Sequence, residues 1–121
     1  MPHESGNVTT SRESRIGVRF TDGAEIECLI DTGFDGALML PRRFVERLQL
    51  PVVGRLVFQV AGGTRINADI ALAEVEWLAE ARTFEVVVSE GEDSLIGTEM
   101  LDGTELTINY VALTVTITNL N

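Results

Sequence analysis

From residue 15 onward, apolar and polar residues alternate in short runs, which is the pattern of β-strands that bury one face. The clearest runs span 15–20, 24–30, 55–77, 84–88, 106–110 and 112–118. Asp22-Gly23 between the first two runs is typical of a tight hairpin turn, and Gly62-Gly63 marks the tip of a long hairpin. Only the segment between Pro41 and Pro51 has helical spacing, over about two turns. The sequence therefore predicts a mostly β fold with one short helix.

The length of 121 residues is typical of a single domain. Residues 1–14 are polar and lack apolar periodicity, so we expect a flexible N-terminal tail followed by one folded domain at 15–121. The only histidine, His3, lies in this tail, which argues against a histidine-based catalytic triad. The start of the chain has no apolar signal-peptide core, and no apolar run approaches the roughly 20 residues of a membrane span. We therefore expect a cytoplasmic protein that does not bind membranes.

Charge and composition limit the partners further. Nineteen acidic residues against nine basic ones give a net charge of −10, which repels nucleic-acid phosphates and anionic lipids. Cys28 is the only cysteine, so the chain cannot form an internal disulfide. The segment DTGFDG resembles the start of a calcium loop, but Gly33 and Arg42 stand where such a loop needs oxygen ligands. The acidic run at 90–93 is typical of a solvated turn, so we predict no metal and no cofactor.

A short internal repeat links two parts of the chain. Leu29-Ile30-Asp31-Thr32 recurs 66 residues later as Leu95-Ile96-Gly97-Thr98. Each copy follows a predicted strand, and each is followed by an apolar cluster. This arrangement indicates a domain built from two similar halves.

Asp31 stands where an apolar strand ends and the chain turns through Thr32 and Gly33. A glycine here allows backbone amides to approach the carboxylate and hold its ionised form. One carboxylate is a weak catalyst of hydrolysis, whereas two that share a proton activate water and polarise a carbonyl group together. The chain offers only one such aspartate, so a partner carboxylate has to come from a second copy of the chain across a twofold axis.

These motifs resemble the retroviral-type (retropepsin-like) aspartic proteases, in particular their small prokaryotic members. The resemblance rests on LIDTG at 29–33, LIGTEML at 95–101 and the glycine-tipped hairpin between them, and it covers roughly residues 15–118. It implies a single-domain closed β-barrel of the acid-protease type, built from two similar halves. It also implies an aspartic endopeptidase that acts on peptide or protein substrates as a homodimer.

The resemblance assigns roles to the residues of the first motif. Asp31 is implied to be the catalytic acid, Thr32 to grip the partner subunit, and Gly33 to offer backbone amides to the carboxylates. The subunit interface is expected to include Thr32, Gly33 and strands from the 105–118 region.

Substrate contacts are implied in the same way. Asp35 is expected to hold the substrate backbone, and the tip of a flap is expected at Ala61, Gly62 and Gly63. Phe34 follows the Asp-Thr-Gly triplet, where viral members usually carry alanine or serine. The size of the substrate pocket therefore depends on where this bulky side chain lies.

A second function is compatible with the same motifs, namely a dimeric module that keeps the fold and binds peptides without cutting them. The intact Asp31, Thr32 and Gly33 favour the protease, because a module that only binds has no need of all three. A purely structural dimerisation domain is a third alternative. Titration of Asp31 as a coupled pair in a dimer distinguishes the protease from both.

Overall fold

The computed structural model describes residues 1–59 and 62–121, and of residues 58 and 59 it describes the backbone alone. Over these residues the elements follow in the order β1 (His3–Val8), β2 (Ser14–Phe20), β3 (Glu25–Ile30), β4 (Leu38–Pro41), α1 (Arg42–Arg47), β5 (Val52–Gln59), β6 (Arg65–Trp77), β7 (Glu80–Ser89), β8 (Leu95–Ile96), α2 (Thr98–Leu101), β9 (Thr104–Asn109) and β10 (Thr114–Asn119). The predicted mostly β architecture is confirmed. In the part of the chain so described, neither helix has the length and apolar character that a membrane crossing requires.

The strands form one sheet in the order β5-β6-β7-β4-β8-β3-β2-β1-β10-β9. β6 also pairs with β2, at Arg19↔Glu76 and Phe20↔Val75, so the strands from β6 round to β2 make a closed circuit of hydrogen-bonded neighbours. The largest fully buried side chains are those of Trp77, Ile16, Leu38, Leu40, Ile96, Met100, Ile117, Val18, Val75, Val86 and Val115. Each such aliphatic side chain contributes about 1.5–3 kcal/mol when it leaves water. The alternation in the sequence therefore decides which face of each strand turns inward.

Helix α1 begins directly after Pro41, whose φ of −57° suits the residue that precedes a helix. Val45 is the buried residue of this helix, and it packs against the core. The chain leaves the helix through Gln49, which has a left-handed φ of 54°. A second helix, α2, follows β8, so the prediction of a single helix is incomplete. Four residues are too few for helical periodicity to appear in a sequence.

The prediction of a flexible tail over residues 1–14 is wrong for the segment that forms β1. This strand pairs with β10 from His3↔Thr118 to Asn7↔Thr114. The Glu4 side chain is buried, and its carboxylate accepts a hydrogen bond from the Leu78 amide at 2.9 Å. Backbone pairing and one buried carboxylate hold a strand that has almost no apolar pattern of its own, and the folded domain therefore begins within the expected tail.

The predicted long hairpin is present as β5 and β6, which pair from Gly54↔Ile70 to Gln59↔Arg65. Its outer end extends beyond the core, so Leu56 and Ile66 are 42% and 40% exposed instead of turned inward as their alternation predicts. Near the tip, Gly62 and Gly63 have φ values of 93° and 83°, in the region that favours glycine.

Candidate active site

Asp31 follows directly on the last residue of β3. β3 lies beside β8 in parallel, with Leu29 opposite Leu95 and Ile30 opposite Ile96. The Asp31 amide continues this pairing by donating to the Ile96 carbonyl oxygen at 2.9 Å. The backbone of Asp31 is thus held by two central strands of the sheet, and the half-buried residue lies where β3 ends.

The turn after Asp31 orients its carboxylate. The Gly33 amide donates to Asp31 Oδ1 at 2.9 Å, and the Phe34 amide donates to the Asp31 carbonyl oxygen at 3.1 Å. The hydrogen bond from Gly33 restricts the rotation of the Asp31 carboxylate. Thr32 and Gly33 are both exposed on the surface of the single chain. The three residues of the triplet therefore present one oriented acid at an open surface.

The two copies of the sequence repeat begin in the adjacent strands β3 and β8. The second copy carries Gly97 in the place of Asp31, and the reason is steric. A Cβ atom on Gly97 would lie 2.1 Å from the Gly36 carbonyl oxygen and 2.6 Å from Phe34 Cδ2. The segment 34–37 forms an arch over this position. Three hydrogen bonds hold it there, from the amides of Gly97, Thr98 and Glu99 to the carbonyl oxygens of Ala37, Phe34 and Gly36. A side chain at Gly97 would collide with the arch, so the second copy of the repeat carries glycine where the first carries Asp31.

Phe34 packs against its own chain. The residue is half-buried, and a Cβ on Gly36 would lie 2.6 Å from Phe34 Cζ, so the ring covers both Gly36 and Gly97. Asp35, the next residue, is exposed on the arch. Phe34 and Asp35 thus follow Asp31 by three and four residues in the chain, and the Phe34 ring lies on the inner side of the arch.

The other predicted substrate contacts lie on the hairpin formed by β5 and β6. Gly62 and Gly63 are exposed, and Ala61 falls outside the described residues. Leu56, opposite Ala68 in the register, shares one face of the hairpin with Ile66, since side chains two residues apart in a strand point the same way. These two exposed side chains of the face are both apolar.

Ion pairs tie the base of this hairpin to α1. Arg42 contacts Asp69 of β6 at 3.0 Å and Glu90 after β7 at 2.7 Å, and Arg55 of β5 contacts Asp69 at 3.3 Å. Hydrogen bonds from Arg42 and then Arg55 lower the pKa of Asp69 below its ordinary value. Hydrogen bonds to Glu90 and then to Asp69 raise the pKa of Arg42. Local sequence patterns identify Asp69 only as a solvent-facing strand residue, because its two partners lie on other elements.

The acidic run at 90–93 has a similar explanation. Glu92 pairs with Arg43 of α1, and Glu90 with Arg42, so this segment is more than a solvated turn. Among the described residues, no three His, Cys, Asp or Glu side chains are grouped as metal ligands are. A groove of about 470 Å³ lies between α1 and β3, with Phe44, Leu48 and Leu29 among its lining, and Asp31 is not part of that lining.

Solved structures with this architecture include a retropepsin-like aspartic protease from Rickettsia conorii. It aligns at a TM-score of 0.63 and 15% identity, over 96% of this chain and 98% of that chain. The EIAV protease complexed with the inhibitor HBY-793 aligns at a TM-score of 0.62 and 16% identity, over 77% and 88% of the two chains. The solution structure of the simian foamy virus (mac) protease aligns at a TM-score of 0.55 and 15% identity, over 73% of this chain and 91% of that chain.

No protein-family model matches the chain, and no curated protein matches its sequence. At 15–16% identity, the likeness to the solved structures is one of fold. The chain therefore has the retropepsin-like fold that its motifs predicted.

Proposed function

We propose that this protein is an aspartic endopeptidase that hydrolyses peptide bonds with two Asp31 carboxylates of a homodimer. The observation that carries the proposal is the Asp31 carboxylate itself. It lies at the end of a central strand, its Oδ1 accepts a hydrogen bond from the Gly33 amide, and it is half-exposed in a retropepsin-like fold. An aspartate with a purely structural role would have no need of such an exposed position.

A homodimer follows from the count of acids. Each chain carries one Asp-Thr-Gly triplet, and the position equivalent to Asp31 in the second half is Gly97, where a side chain would collide with the arch. A twofold axis between two chains brings identical residues together. Thr32 and Gly33 are exposed beside Asp31, where they are free to contact the same residues of the partner.

The proposed mechanism uses the pair as acid and base. Two ionised carboxylates in close contact repel each other, so the proposed pair shares one proton. The ionised member takes a proton from water, which attacks the carbonyl carbon of the peptide. The protonated member gives its proton to the carbonyl oxygen, which produces a tetrahedral diol. The C–N bond then breaks as the proton taken from water passes to the leaving amine and one hydroxyl of the diol returns a proton to the other carboxylate, so the pair again holds one proton. No metal or cofactor takes part.

The proposed substrate is an extended peptide or protein segment bound between the triplet and the hairpin of β5 and β6, which acts as a flap. Asp35 is exposed on the arch and is proposed to hold the substrate backbone. Gly62 and Gly63 lack side chains, so their backbone can approach a peptide closely. Phe34 is proposed to limit the pocket beside Asp31. Ala61 remains part of the predicted flap tip.

The alternative is a dimeric module that binds peptides without cutting them. Phe34, three residues after Asp31, favours it, because a bulky side chain close to the acid in the chain leaves less space for a scissile bond. For either function we propose a cytoplasmic location, which agrees with a chain that has no pair of cysteines to form a disulfide.

The test is digestion of a peptide library between acidic and neutral pH by the wild-type protein and by Asp31→Asn. An amide cannot accept the proton of water, so cleavage should disappear while the fold persists. A chelator should leave wild-type cleavage unchanged. Cleavage by Asp31→Asn, or loss of cleavage with the chelator, contradicts the protease. Peptide binding without cleavage, together with Asp31 titrating as a single independent group, supports the binding module.

A further inference from the structure

Strand β3 pairs with β2 from Glu25 to Leu29, but its other edge is covered only at its end. Successive residues of a strand point their N–H and C=O groups to opposite sides. The Leu29 amide donates to the Ser94 carbonyl oxygen at 2.8 Å, away from β2, so the backbone groups of Glu25 and Glu27 face the same way. Pairing with β8 begins only at Leu29↔Leu95. Among the described strands, none pairs with Glu25 or Glu27 on this side.

This open edge faces the groove of about 470 Å³ between α1 and β3. Its size falls within the range of about 300–1,000 Å³ found for ligand sites. The apolar part of the groove is formed by Leu29, Phe44 and Leu48, all half-buried. The guanidinium groups of Arg43 and Arg47 lie over the Phe44 ring, 4.6 and 5.2 Å from its centre. An extended peptide adds as a further strand where an open strand edge borders such an apolar surface.

The rim of the groove has an excess of acidic side chains. Five carboxylates and three guanidinium groups line it. Two of the three arginines are each paired with one of these acids. Glu25, Glu27 and Asp93 are exposed, and none of them forms an ion pair within the described part of the chain. A lysine or arginine side chain that enters the groove would therefore meet carboxylates that have no other partner there.

Glutamates on a strand edge also protect it from pairing with another copy of the same chain. In a protein of net charge −10, Glu25 and Glu27 repel a second copy. Protection alone does not account for the apolar side chains of Phe44 and Leu48 on the facing helix, since a protected edge needs no such surface. The glutamates that repel an acidic strand attract a basic one. The charge of the edge thus distinguishes between possible occupants.

From these observations we infer that the groove between α1 and β3 binds an extended, basic segment of another protein, which adds as a strand to the edge of β3. Side chains of a strand alternate between its two faces. Lysine or arginine at every second position would lie beside Glu25 and Glu27, and apolar residues between them would contact Phe44 and Leu48. The site goes beyond the proposed function, because Asp31 is not part of the lining and the binding does not require cleavage.

The test is the binding of three labelled hexapeptides to the full chain, measured by fluorescence anisotropy at low salt. A peptide of alternating lysine and valine, KVKVKV, should bind at least about tenfold more tightly than EVEVEV, which has the opposite charge, and than KSKSKS, which lacks the apolar side chains. Bound KVKVKV should protect the Glu25 and Glu27 amides from hydrogen exchange, because their N–H groups point into the groove.

Two double variants locate the binding site. Glu25→Gln with Glu27→Gln should weaken the binding of KVKVKV about tenfold. Glu74→Gln with Glu76→Gln is the matched control, since these glutamates are also exposed and two residues apart on one strand, and the net charge changes equally. The control should leave the affinity unchanged. The fluorescence of Trp77 reports whether both variants keep the fold.

Several outcomes overturn the inference. They are no binding of KVKVKV, equal binding of KSKSKS or EVEVEV, equal effects of the two double variants, and binding that leaves the Glu25 and Glu27 amides unprotected. Protection of these amides by raised protein concentration alone would identify a second copy as the occupant and also contradict the inference. Cleavage of the peptide library is scored separately. Cleavage without binding of KVKVKV keeps the protease and rejects this site, whereas binding without cleavage keeps the site and rejects the protease.

Discussion

Gly97 lies under the arch of residues 34–37, and we expect Gly97→Ala to be strongly destabilising. The backbone at Gly97 has φ −101° and ψ −178°, an extended conformation that alanine adopts without strain. The cost therefore comes from contacts. The new methyl group would lie 2.1 Å from the Gly36 carbonyl oxygen, which is backbone and cannot rotate away, and 2.6 Å from the Phe34 ring.

The size of this destabilisation follows from the neighbouring atoms that have to move to admit the methyl group. Forcing a methyl group into a packed site costs about 1–3 kcal/mol. Lifting the arch instead weakens the hydrogen bonds from the Thr98 and Glu99 amides to Phe34 and Gly36, at about 1 kcal/mol each. We therefore expect a loss of about 2–4 kcal/mol in the free energy of unfolding, which lowers Tm by roughly 10 °C in a domain of this size. The arch also carries the turn of Asp31, so any cleavage activity should fall with it.

The assay is thermal and urea unfolding followed by the fluorescence of Trp77, which is fully buried and donates from Nε1 to the Met100 oxygen in α2 at 3.1 Å. Gly54→Ala is the control, because nothing lies within 4 Å of a Cβ at Gly54. The steric reasoning is refuted if Gly97→Ala is as stable as Gly54→Ala. Phe34→Ala in the Gly97→Ala background should restore only part of the loss, since the Gly36 carbonyl oxygen stays in place.

Three further changes can be measured on the same protein. Replacing Gly62 and Gly63 together by alanine should lower peptide turnover much more than Tm, and a tight peptide-like inhibitor should slow amide exchange at both glycines; unchanged exchange contradicts the flap. The pKa of Asp69 is lowered by Arg42 and Arg55, so its ion pairs stabilise the fold above the unfolded-state pKa and are lost as the pH falls through the lower folded value. The stability difference between wild type and Asp69→Asn should thus shrink as the pH approaches 2, and a constant difference argues against the ion pairs. Burial raises the pKa of Cys28 to about 12, so iodoacetamide should leave it unmodified at pH 8 until the protein unfolds; rapid native modification contradicts its burial.

The amino-acid sequence by itself determined most of the strands and the position of the acid. Alternating runs mark β2 and β3 because burial of one face imposes a period of two on each strand, whatever its neighbours are. The placement of Asp31 at a strand end, before a turn-forming Gly33, is also local. The repeat at 29–32 and 95–98 predicted two similar halves, and the structure places these segments side by side as parallel strands.

Only the tertiary structure decided what depends on residues far apart in the chain. β1 has almost no apolar pattern, and it exists because β10 pairs with its backbone and Glu4 meets the Leu78 amide, 74 residues away. Arg42 forms ion pairs with Asp69 and Glu90, which lie 27 and 48 residues further along the chain. Such contacts leave no periodic signal, since each depends on where the whole sheet brings two residues together. The glycine at 97 is visible in the sequence, but the reason for it is the arch above it.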